Sequence, residues 1–174
     1  MADLYDFDAV ALYRALDDER AGRQLTWSGV AREIWSLSHE LNDRRRDHPI
    51  SPSTIANIER RRNISCQHAL FMLRWLNRTP ESFLTGPARE DSMLPEAGPD
   101  FRLRWNLTRL YEGLDAKRHE DQLTWDALAR VLDCTPSQLT GLRTAKFATN
   151  MNLAMRITQW LERPAADFID ARTW

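Results

Sequence analysis

Cysteine is nearly absent: Cys66 and Cys134 stand alone in 174 residues, with no second Cys or His at ligand spacing. That excludes a disulfide framework and a zinc site, and both are expected as small buried apolar residues. Glycine is scarce as well, at six residues, and no glycine-rich phosphate loop occurs. No apolar run approaches the ~18 residues a membrane helix needs, and the opening MADLYDFD is acidic where a secretory leader would be basic. The expectation is a cytoplasmic protein with no membrane partner. Catalytic constellations are lacking too. His39, His48, His68 and His119 lie in unrelated contexts, no nucleophile motif appears, and the expectation is no enzyme, no metal and no cofactor.

Net charge is small, at -1, which at first sight speaks against a nucleic-acid partner. Its distribution says otherwise. By position, residues 1–10 carry -3, 11–86 carry +3, 87–100 carry -3 and 101–174 carry +2. Nearly all the positive charge is arginine, whose fork suits phosphate and guanine, although arginine also serves on solvated helical faces.

What the chain does have is 43% hydrophobic residues, seven tryptophans and a repeat. Shifted by 98 residues, LYRALDDERAGRQLTWSGVAR (12–32) meets LYEGLDAKRHEDQLTWDALAR (110–130) with eleven identities in twenty-one positions. At a shift of 84, SPSTIANI (51–58) faces TPSQLTGL (135–142), and at about 85, MLRWLNRTPESFL (72–84) faces ITQWLERPAADFI (157–169). Two copies are too few for a solenoid and imply duplicated domains, 1–86 and 101–174. The stretch 87–100, rich in Pro, Gly and acid, has linker composition. Apolar spacing is helical within each copy: Phe7, Val10, Tyr13 and Leu16, then Leu103, Leu107, Leu110, Tyr111 and Leu114. No segment is expected to be a strand.

The shared LTW has a physical sense. Thr26 and Thr124 are placed to cap a helix, Leu25 and Leu123 to staple against Val30 and Leu128, and Trp27 and Trp125 to pack on the preceding helix. Trp75 and Trp160 are expected in the core. From Trp125, apolar residues fall at Leu128, Leu132, Cys134, Leu139 and Leu142, with small Ala129 where two helices cross. Asp133, a residue that tolerates positive φ better than most, is the ninth of the series, and Thr135 with Pro136 opens the next helix. Ser51 and Pro52 repeat the device.

This pattern resembles the helix-turn-helix of the phage-repressor and Cro-like (xenobiotic-response-element) family, over about 7–85 and 103–170. The resemblance implies an all-α fold of two tandem five-helix domains. It also implies double-stranded DNA as the partner, with the second motif helix reading base edges in the major groove. Carried over position by position, the DNA-reading candidates are Ser53, Thr54, Asn57 and Arg60 in the first copy and Ser137, Gln138, Thr140 and Thr144 in the second. Arg60, Arg61 and Arg62 follow where family members touch phosphate; Arg143 and Lys146 are the cations near the second segment.

The first copy departs from the pattern by fourteen residues, SLSHELNDRRRDHP (36–49). Val30, Ile34, Leu37 and Leu41 keep the helical period, so helix 2 is expected to run on about three turns to Arg44, Arg45 and Arg46. That would carry a second basic cluster to DNA, or an apolar stripe for docking the other copy or another chain. Successive major grooves lie ~34 Å apart, and the fourteen linker residues reach about 46 Å at ~3.3 Å each, so both motifs could engage one site. The function expected is a transcriptional regulator, a repressor, reading two unlike half-sites. The alternatives are an antitoxin that binds a toxin and regulates its own operon, and a protein-interaction module, self-association included.

Overall fold

The computed structural model describes residues 3–47, 50–87, 92–144 and 149–174. Among these the chain is mostly helical with one two-stranded ribbon. The first copy contains α1 (Ala9–Gly22), α2 (Trp27–Ser36), α3 (His39–Asn42), α4 (Pro52–Ala56), α5 (Ile58–Arg61) and α6 (Cys66–Leu76), then a 3-10 turn at Pro80–Phe83. The second contains strand β1 (Arg102–Trp105), α7 (Leu107–Glu120), α8 (Trp125–Leu132), α9 (Pro136–Thr140) and α10 (Met151–Trp160). A 3-10 turn at Gly141–Thr144 follows α9, another at Ala165–Phe168 follows α10, and strand β2 (Ile169–Arg172) ends the copy.

The repeated tetrapeptide QLTW builds the same corner twice. Gln24 and Gln122 take left-handed φ of 56° and 55°. Behind them Leu25 N–H donates to the Arg20 carbonyl and Leu123 N–H to that of Arg118, the closing bond of a Schellman motif. Thr26 and Thr124 then cap α2 and α8 through Gly29 and Ala127 N–H. Trp27 lies 5.4 Å from Tyr13 on α1, and Trp125 lies 5.7 Å from Tyr111 on α7. Arg20 and Arg118 cover the two indoles and bond the Leu25 and Leu123 carbonyls. Trp75 and Trp160 are buried, as expected for core.

Two expectations fail. Leu103 does not belong to a helix: β1 pairs antiparallel with β2, Leu103 opposite Ala171 and Trp105 opposite Ile169. The Arg-Leu-Arg-Trp alternation puts Leu103 and Trp105 in the core. Phe7 is likewise outside α1, bridging Leu84 at the equivalent place. Nor does α2 run on to the arginines. It stops at Ser36, and a turn leads into the short α3. The interruption comes from the segment before β1: the Pro99 carbonyl accepts from Glu40 and Leu41 N–H, and Ser38 donates its hydroxyl to the Phe101 carbonyl. The Pro99 carbonyl thus takes the place of the i-4 carbonyls of Ser36 and Leu37 for those two N–H groups.

The stretch before β1 is consequently no free tether. Arg74 on α6 donates to the Ala97, Gly98 and Phe101 carbonyls, and Leu94 and Ala97 pack on the core.

The copies share one buried cluster and meet through contacts that repeat when the copies are exchanged. Ser65 and Asn150, which cap α6 and α10, form an antiparallel bridge. Cys66 N–H donates to the Thr149 carbonyl at 2.8 Å, and Met151 N–H to that of Ile64 at 2.8 Å. Phe7 N–H donates to Asn152 Oδ1 at 2.8 Å, and Trp105 N–H to Gln67 Oε1 at 3.2 Å. Each pair is the image of the other, the signature of an isologous two-fold contact. The symmetry is broken elsewhere, as where Asp6 pairs with Arg156 at 2.8 Å, whereas the equivalent Arg104 lies over the Phe71 ring at 5.6 Å.

Candidate nucleic-acid interface

Segment 51–62 begins at a strong cap. Ser51 Oγ accepts from Thr54 N–H, and Pro52 occupies the first turn, where its missing N–H leaves nothing unsatisfied. Ile55 and Ile58 are buried and anchor the segment. Ser53, Arg60, Arg61 and Arg62 are exposed, while Thr54 and Asn57 are half-buried. Asn57 is engaged at both ends, donating Nδ2 to the Ser53 carbonyl and accepting from Arg60 on Oδ1. Arg61 and Arg62 have no ion pair among the described residues. Arg62 ends α5 in the left-handed conformation, φ 50°.

The second segment opens on a capping box: Gln138 N–H donates to Thr135 Oγ1, and Thr135 N–H to Gln138 Oε1. Leu139 and Leu142 are its buried anchors. Ser137, Gln138, Thr140, Arg143 and Thr144 are all exposed. Thr140 and Thr144 return their hydroxyl protons to the Pro136 and Gly141 carbonyls. Lys146 lies outside the described residues. Gln138 Oε1 also accepts from the Thr135 hydroxyl, so bidentate pairing with a base would require that hydroxyl to turn away.

Asp133, between α8 and α9, has φ 53° and ψ 53°, as the turn requires. The equivalent turn of the first copy is rebuilt by the insert. Arg44 and Arg46 are exposed after α3, whereas Arg45 is half-buried and pairs with Asp47. Asp47 also takes Arg102 of β1 at 2.9 Å, and Asn42 takes the same guanidinium at 3.0 Å. Arg102 is fully buried, and its bond holds the Asp47 carboxyl well below the usual carboxylate range. The insert is thus fastened to the second copy, and its arginines do not line the groove beside α4.

That groove, of about 690 Å³, runs from α4 and α5 to the two-fold bridge and ends on Asn150. Asn63, Ser65, His68 and Asn150 line it together with Ser53, Asn57 and Arg61. The residue-by-residue carry-over contains none of the first four. The signal for Asn150 was present: the 85-residue shift sets it opposite Ser65, and both precede amphipathic helices. Burial pushes the His68 ring below its ordinary pKa. Because α6 and α10 both start at this bridge, two positive helix ends meet there. A two-fold operation leaves each end of its axis in place. The second segment therefore flanks the same end as the first.

Cys66 is buried with its thiol pushed up to about 12, an inert core group. Among the described residues no cluster of His, Cys, Asp and Glu could hold a metal, and no helix is long and apolar enough to cross a membrane. In comparisons with known proteins, no family model, no curated protein and no solved structure matches the chain.

Proposed function

We propose that this protein is a sequence-specific DNA-binding transcriptional regulator, a repressor. Two helix-turn-helix units of the phage-repressor and Cro-like kind act as the two halves of a dimer within one chain. The observation that carries this reading is the outward segment 51–62. Its polar side chains sit on two buried isoleucines and run into Arg60, Arg61 and Arg62 beside the internal two-fold, with segment 135–144 flanking the same end. Arg60 is the strongest base-reading candidate, for a guanine edge, Asn57 reads adenine once it releases the Ser53 carbonyl and Arg60, and Arg61 and Arg62 contact phosphate. The second segment reads its half more weakly, because its hydroxyls and Gln138 are turned onto its own backbone and cap. An interaction module would spend these arginines on acidic partners of the other copy. Their freedom from ion pairs among the described residues supports a phosphate partner instead.

Selection of bound duplexes from a random pool, at stated salt, tests the reading. The expected product is an asymmetric site with two unlike halves whose centres stand ~34 Å apart. Replacing Arg60 by Ala should cost about 1–3 kcal/mol and relax preference at one position. Log affinity should fall with log salt at a slope near -0.9 for each phosphate neutralised. A pool that enriches no sequence would sink the proposal.

A further inference from the structure

The groove beside α4 and α5 is built from both copies. Asn57, Arg61, Asn63 and His68 come from the first copy, and Asn150 of the second closes the far end. No carboxylate lines it among the described residues. The Arg61 guanidinium, the Asn63 amide and the His68 ring have no protein partner among the described residues. Asn150 accepts from Leu153 N–H on Oδ1 at 2.7 Å, and its Nδ2 has no protein partner among the described residues. Four groups with N–H donors line one channel that holds no carboxylate among the described residues, which suits a ligand that is a row of anionic acceptors. A neighbouring depression past Asn63 and Asn150 does hold Asp6, but Arg156 offsets its charge.

We propose that this groove is the track for one phosphodiester strand, held by Arg61, Asn63 and His68 on one side and by Asn150 of the other copy. A half-site read by the first copy then needs the second copy for its backbone contact, even where the second segment reads no base. The inference rests on the DNA-binding reading. It is also one-sided: the position equivalent to His68 holds Leu153, buried and with no donor.

Substitution at Asn150 tests the track in the full-length protein. Asn150→Asp keeps a good cap for α10 while placing a carboxylate in the channel. Its affinity for the selected duplex should fall about tenfold or more at low salt, with the melting temperature unchanged. Asn150→Ser also keeps the cap and removes only the amide. It should lose ethylation interference at the phosphates between the first half-site and the centre, with interference elsewhere intact. Wild-type affinity and interference in both variants, alongside loss of binding in Asn57→Ala, would overturn the track and leave the DNA reading standing. If wild-type protein binds no duplex, the reading itself fails and the track falls with it.

Discussion

Trp35 and Asp133 occupy the same place in the two copies, and the chain leaves them in different directions. Asp133 bends into the left-handed region, closing α8 so that Thr135 can open α9 at once. Trp35 stays helical and the chain runs on into the insert. The difference follows from side-chain chemistry, because Asp tolerates positive φ far better than a bulky aromatic does. Asp133→Gly should be neutral or slightly stabilising in urea unfolding. Asp133→Val should cost about 1–2 kcal/mol, since a branched Cβ is strained there. Equal midpoints for both variants would show that the turn does not depend on this dihedral.

Among elements, the insert shows how far local pattern reaches. The period of Val30, Ile34, Leu37 and Leu41 is real, and Leu41 is indeed buried. The helix nevertheless breaks, because the Pro99 carbonyl claims the N–H donors of Glu40 and Leu41. No window around residue 37 contains that information. The ribbon was missed: RLRW alternates over only four residues, too few to outweigh the helical series from Leu103, and its partner IDAR lies more than sixty residues away. Caps, corners and anchoring tryptophans could be read because each is decided within five residues. The exposed segments at 51 and 135 were legible for the same reason, whereas the groove was not, since its wall comes from the other copy.

The Asp47–Arg102 pair that fastens the insert carries a pH signature. Asp47's folded pKa is depressed by Arg102, so its stabilisation is present above about pH 4, the unfolded value, and is lost as pH falls toward the lower folded one. In Asp47→Asn the acid limb of a stability-versus-pH curve should be shallower below pH 4. An identical limb would mean that the pair contributes nothing net.

At the scale of the whole molecule, the reciprocal contacts across Ser65 and Asn150 predict one cooperative unfolding event. Tryptophan fluorescence and far-UV circular dichroism should trace the same urea transition. Trp105 donates its indole N–H to the Cys66 carbonyl across the copies at 3.0 Å. Trp105→Ala should therefore destabilise both halves together, by about 3–5 kcal/mol. Two separated transitions, with the first copy untouched, would show that the halves stand independently.

An assembly of identical chains inherits every mutation on both sides. Here Asp6 with Arg156 faces, across the axis, Arg104 with Phe71, an arrangement that no pair of identical subunits related by a true two-fold can adopt. Gene fusion frees each side to drift alone, and because the sides are tethered, scarcity of the protein in a cell cannot pull them apart.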